Sequence, residues 1–241
     1  MFRIHAKAFA MSTSIAIVWT AIIVLGAPIA GLVARRPLAA RQRPRALIYA
    51  GSAANLIAIG GITAVIDIYR DSKTISALGW TMSLSQLVVW SLGLTVVSVL
   101  ISFCVFVLRR NLNRPPSAIV MSLLPETMRE QAMFLLLCLL VGLVEEFLFR
   151  GFAFFTLTGF TGSQLLAAAI VTASFALQHG IQDTIGIGRA FVLGVLLIVP
   201  IVMTGSLLPS IIAHAIVDAF SGLYGRTAMA GFQASAGRNS T

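Results

Sequence analysis

The chain carries eight acidic residues in 241, and three of them stand where charge is costly. Glu145, Glu146 and Asp218 fall inside long apolar runs, as do Arg150, His179 and His214. A charge at the centre of a membrane helix costs about 2.5–3.5 kcal/mol on insertion scales, so such groups persist where they pair, line a cavity or do chemistry. The first cluster reads Val144-Glu145-Glu146-Phe147-Leu148-Phe149-Arg150-Gly151. On a helix Glu146 and Arg150 are four apart and can form a structural ion pair. Glu145 then has no local cation, and a buried carboxylate of that kind suits general-base work as well as a polar contact to a neighbouring helix. The second cluster is Phe175-Ala176-Leu177-Gln178-His179. In the third, His214 and Asp218 are four apart and share a helix face, so the carboxylate can orient the imidazole.

Those residues must be positioned by elements suited to lipid. Hydrophobic residues make up 58% of the chain and charged ones 10%, with a mean hydropathy of +0.96. Soluble domains carry about 45–50% and about 25%. A soluble core of this size has no room for so much apolar surface. The net charge is +9 and the isoelectric point about 11.0, which in a soluble chain would point to nucleic acid. Here the arginines cluster between apolar runs, as at Arg35, Arg36, Arg41, Arg43 and Arg45. That is the pattern of cytoplasmic loops at anionic headgroups, so the partner is the lipid bilayer, not nucleic acid. Cys104 and Cys138 lie in separate apolar runs and read as small packing residues.

The apolar runs predict an all-α, polytopic transmembrane bundle of about seven spans, within a range of six to eight. The expected spans are 11–33, 46–66, 86–108, 131–158, 163–179, 187–203 and 206–224. The first is too long for a signal-peptide core and is followed by arginines, so it reads as an uncleaved helix. Gly51, Gly60 and Gly61 on the second are spaced for close helix contact. Residues 109–129 read as a loop with a short interfacial helix. Residues 180–189 read as a loop holding Asp183 and Arg189, and Pro200 as a kink. The chain divides into 1–125, N-terminal helices and loops; 126–224, a core holding the charged clusters; and 225–241, a tail expected to be disordered. The positive-inside rule puts loops 34–45 and 109–129 in the cytoplasm and the N-terminus outside.

Hairpin arithmetic links the first two clusters. The turn between spans four and five centres near residue 161; Glu145 lies 16 residues before it and His179 18 after it. At about 1.5 Å per residue both sit roughly 24–27 Å from the turn, at similar depth. His214 is only 8 residues past Ser206, so the last helix must start deeper or Pro209 must reshape its entry.

Three motifs in this order, E-E-x-x-x-R, F-x-x-x-H and H-x-x-x-[N/D], resemble the CPBP intramembrane protease family, the CAAX-protease and bacteriocin-processing group also called Abi. The residues are Glu145, Glu146 and Arg150; Phe175 and His179; His214 and Asp218. Phe149-Arg150-Gly151 and the stretch 204–209 are similar too, and the resemblance covers about residues 130–224. It implies an all-helical membrane fold with a cavity open to water and peptide hydrolysis by a glutamate-activated water. Carried over, Glu145 is the base and His179 helps orient the water. His214 and residue 218 stabilise the oxyanion, while Glu146, Arg150 and Phe175 support the site. An ionised Asp218 cannot donate to an oxyanion, so it orients His214 or acts protonated. A zinc ion on Glu145, His179 and His214 is an open alternative, although no H-E-x-x-H is present.

Two other classes fit the buried charges: a non-catalytic membrane protein that holds a peptide or partner in the same cavity, and a transporter with a proton relay. Against the transporter, the sequence shows no inverted repeat. The resemblance implies a peptide or protein substrate, within a family that spans prenyl-CAAX processing, peptide maturation and bacteriocin immunity. The 15 Arg against 2 Lys and the many alanines suggest a GC-rich bacterial genome, hence a multi-pass protein of the inner membrane.

Overall fold

A computed structural model describes residues 2–33, 44–79 and 82–236, with side chains over 13–33, 44–79 and 82–225. The arginines at 35–43 lie outside the described residues. The described chain is helical throughout, with no strand. In order, α1 is Phe2–Val33, α2 Arg45–Arg70, α3 Lys73–Ala77, α4 Leu84–Asn111 and α5 Ala118–Ser122. Then α6, Met128–Glu145, runs into a π-helical stretch, Glu146–Ala153, and on into α7, Phe154–Thr161. Gln164–Gln178 is α8, followed by a 3₁₀ turn at His179–Gln182 and by α9, Asp183–Leu197. The chain closes with α10, Val199–Thr204, and α11, Leu208–Ala236.

Five stretches among the described residues are long and apolar enough to cross a membrane. The fifth, Gln164–Thr204, holds α8 and α9, which pack on each other and were expected as separate spans. The last helix, α11, stands in addition to these five. The bundle is apolar on the outside: Leu25, Val89, Leu136 and Met203 are exposed, while Glu146, Arg150 and Asp67 are fully buried. That distribution suits a lipid solvent.

Local signals set the helix ends. Ser83 with Gln86 and Thr127 with Glu130 form reciprocal capping boxes at the starts of α4 and α6. Gly162, at φ +69°, makes the tight turn between α7 and α8, where the hairpin was expected. Arg45 pairs with Glu126 at 2.6 Å and Tyr49 donates to Leu123 O at 2.6 Å. These contacts join the start of α2 to the segment between α5 and α6.

Three expectations are corrected. Residues 183–189 are not loop: α9 begins at Asp183, and Arg189 stands inside the helix. Asp183 accepts from Arg109 at 2.7 and 2.9 Å and from Gly186 N at 3.0 Å, so its carboxylate ties off the start of α9. Residues 225–236 are not disordered but continue α11. This stretch is rich in alanine, and extending a nucleated helix is cheap. Residues 237–241 lie outside the described ones. Of the three glycines on α2, only Gly60 makes a close approach, to Val144 on α6; Gly51 and Gly61 face open space.

Candidate functional site

The site is assembled at the junction of α6 and the π-helical stretch. A π turn bonds i to i+5 and is often found at functional sites. Glu145 ends α6 and Glu146 opens the π stretch. Four residues earlier, Gly142 lets α11 come close: a Cβ there would sit 3.0 Å from Ala215 N and from Ile211 O. That approach puts His214 between two consecutive carboxylates. His214 Nδ1 lies 2.8 Å from Glu146 Oε1, and Nε2 lies 4.0 Å from Glu145 Oε2. Asp218, one turn along α11, places Oδ2 3.5 Å from the same Nε2.

His214 reaches this depth although it is only a short way into its helix. The connection before α11 is buried: Ser206 and Leu207 have no exposed surface, and Leu207 N donates to Ala77 O at 3.0 Å. Ser210 Oγ donates to Leu197 O at 2.7 Å. Helix α11 therefore begins inside the bundle, which answers the depth problem that spacing alone leaves open.

Glu146 does more than pair with Arg150. The expected ion pair is present, Arg150 Nη1 to Glu146 Oε1 at 2.9 Å, with both side chains fully buried. The same oxygen meets His214 Nδ1. A carboxylate ionised against a guanidinium can only accept, so Nδ1–H donates; the Asp218 carboxylate faces Nε2, so both ring nitrogens stand as donors, the pattern of an imidazolium. The Arg150 guanidinium also lies over the Phe175 ring, 3.7 Å from its centroid. Phe175 meets the His179 ring at 4.8 Å and the His214 ring edge-on at 5.8 Å. His179 Nδ1 lies 2.8 Å from Phe175 O. A carbonyl only accepts, so Nδ1 is the donor and Nε2 of the neutral ring keeps its lone pair.

His179, His214 and Asp218 line one small cavity of about 30 Å³, with Ser98, Gln182 and Arg189 among the other walls. A space of that size holds one or two water molecules. Glu145 stands beside it through His214. Its Oε2 is buried and has no hydrogen-bond partner among the described residues. The structure thus brings Glu145, Glu146, Arg150, Phe175, His179, His214 and Asp218 into one cluster. Spacing did not find Ser98, Gln182 or Arg189. Arg189 had a signal: it is the single charge between residues 184 and 217.

The residues do not fit a zinc site. No three His, Cys, Asp or Glu side chains among the described residues are grouped as ligands of one ion. His214 spends Nδ1 on Glu146, and its other nitrogen faces two carboxylates at hydrogen-bonding and longer distances.

No curated protein and no solved structure matches the chain. A family model does: residues 127–220 match type II CAAX prenyl endopeptidase Rce1-like. The matched stretch contains all three motifs and every residue of the cluster, and it supports, for this part of the chain, the CPBP/CAAX-protease family that the motifs resemble.

Proposed function

We propose that the protein is an intramembrane endopeptidase in which Glu145 activates a water. The observation that carries this reading is Glu145 Oε2, buried, without a hydrogen-bond partner among the described residues and held 4.0 Å from His214 Nε2 beside a cavity of water size, while the neighbouring Glu146 is committed to Arg150. Glu145 takes a proton from water as the oxygen attacks the peptide carbonyl. His179, with Nδ1 tied to Phe175 O, presents Nε2 to hold that water. His214, held at Nδ1 by Glu146 and carrying a second proton at Nε2 opposite the Asp218 carboxylate, donates as an imidazolium from Nε2 to the oxygen that becomes negative. Glu145 then passes its proton to the leaving nitrogen, and the C–N bond breaks. Asp218 serves here as an acceptor that steadies His214, which suits an ionised aspartate better than donation to the oxyanion.

The family match supports peptide hydrolysis as the reaction class and a CAAX-type peptide as one substrate class. Bacteriocin-related roles and a bacterial inner-membrane location rest on the sequence reading alone. The test is reconstitution in liposomes with a mixture of apolar peptides, read by mass spectrometry. New termini that require the intact protein support the endopeptidase. Peptide or ion flux without new termini would mark a transporter, and retention of uncleaved peptide would mark a binding protein.

A further inference from the structure

Several helical hydroxyls bond to their own backbone. Thr63, Ser102, Thr156 and Thr204 each donate to the carbonyl four residues earlier, at 2.7 or 2.8 Å. That bond is open to any serine or threonine inside a helix. Ser98, on α4, does not make it. The residue is 1% exposed, and its Oγ has no hydrogen-bond partner among the described residues. A buried hydroxyl in that state is costly and calls for a reason. Ser91 and Thr95 on the same helix share it, but Ser98 is the one of the three that lines the cavity of His179, His214 and Asp218.

That cavity is rich in acceptors and short of free donors. Asp218, ionised, can only accept, and the Glu145 carboxylate stands nearby, on the other side of His214. Arg189 commits Nε to Ser102 Oγ at 3.1 Å and Nη2 to Ser221 Oγ at 2.9 Å. Gln182 is half-buried and is shared with a larger apolar groove that Phe103, Phe106 and Phe220 help to wall. Two buried donors remain in the walls: His214 Nε2 and Ser98 Oγ–H. At about 30 Å³ the space admits one or two groups of water size, so an oxygen seated at His214 has Ser98 close by. A hydroxyl hydrogen rotates to suit its acceptor, so it can follow an oxygen from the trigonal to the tetrahedral position.

We propose that Ser98 is a catalytic residue whose Oγ–H donates to the peptide oxygen that becomes negative, as a second donor beside His214. The proposal rests on the endopeptidase reading. It supplies from α4 the neutral donor that an aspartate at 218 withholds. It also carries the reaction centre beyond the family-matched stretch 127–220, because α4 lies before it. The proton stays on Ser98 throughout: the hydroxyl stabilises the developing charge, and the proton that moves is still the one taken from water by Glu145.

The test compares full-length Ser98→Ala and Thr95→Val with the parent protein in detergent, in two assays. Alanine is a better helix former than serine, so Ser98→Ala is expected to fold. The first assay is kcat and KM on a peptide that the parent cleaves. Ser98→Ala should lower kcat by about 10²-fold, the scale of one oxyanion donor, with KM within about twofold. Thr95→Val removes another unpartnered hydroxyl one turn away, outside the cavity, and should match the parent. The second assay needs no turnover. The probe is an acetylated tetrapeptide of leucine and phenylalanine whose central amide is replaced by a difluoromethylene ketone, held as its tetrahedral hydrate; the control is the ethylene isostere, which lacks the oxygens. Ser98→Ala should bind the hydrate about tenfold more weakly and the isostere equally well. A Ser98→Ala kcat within about twofold of the parent, equal losses in Ser98→Ala and Thr95→Val, or unchanged affinity for the hydrate would overturn the proposal. Cleavage by the parent with Ser98→Ala unaffected would remove Ser98 and leave the endopeptidase. Hydrate binding that depends on Ser98, without cleavage of any peptide, would do the reverse.

Discussion

His214 Nδ1 and Glu146 Oε1 are 2.8 Å apart, and that oxygen is the one that Arg150 Nη1 holds at 2.9 Å. One carboxylate oxygen therefore serves both a structural cation and a ring of the candidate site. Stability and geometry are coupled at Glu146 as a result. Glu146→Ala strands a fully buried guanidinium, and breaking a buried pair costs about 3–5 kcal/mol. Arg150→Ala is expected to behave alike, with the double variant milder than the sum. Thermal or denaturant unfolding in detergent checks this; strictly additive losses would contradict the pairing.

Phe175 is the contact shared by Arg150, His179 and His214. Phe175→Leu keeps most of the volume but removes the ring beneath the guanidinium, a contact worth about 2 kcal/mol when desolvated. The expected outcome is a lower melting temperature together with a fall in kcat, because His179 and His214 lose the surface between them. An unchanged kcat with lowered stability would show that Phe175 packs without positioning the rings.

Asp218 tests the oxyanion assignment. Asp218→Asn keeps an acceptor facing His214 Nε2, so the loss in kcat should stay within about tenfold, the scale of one hydrogen bond. Asp218→Leu removes the acceptor and should cost more. Equal losses in both variants would mean that the charge of Asp218, not its contact with His214, is what the site needs.

Under the glutamate reading, cleavage by the reconstituted protein should withstand chelators. Peptidase assays after exhaustive treatment with a zinc chelator check this. Loss of activity restored by added zinc would overturn the water-activation scheme and require His179 and His214 to rearrange into a ligand set.

Much of this was legible from residue spacing. The charges at 145, 146 and 150 stand out because lipid makes them costly, and their four-residue step predicts the pair that forms. The turn at Gly162 followed from small polar residues between apolar runs. What spacing could not carry was the third dimension. Contact between Glu146 and His214 depends on α11 starting inside the bundle, and that rests on Leu207 binding Ala77 O, far away in the chain. Around Arg189 glycines and a charge interrupt the apolar pattern and predict a loop; tertiary partners on α4 and α11 hold it in a helix instead. Helix α11 continues through residues 225–236, where small residues suit cheap helix extension as well as disorder.

The central claim is that Glu145, which faces His214 while Glu146 is taken up by Arg150, is the base. The most direct measurement is kcat of purified Glu145→Gln against the parent, on any peptide that the parent cleaves, with unfolding midpoints recorded alongside. Glutamine keeps the shape but cannot take the proton, so kcat should fall by about 10²–10⁴-fold while the midpoint barely moves. A Glu145→Gln protein that folds normally and cleaves at the parent rate would contradict the account.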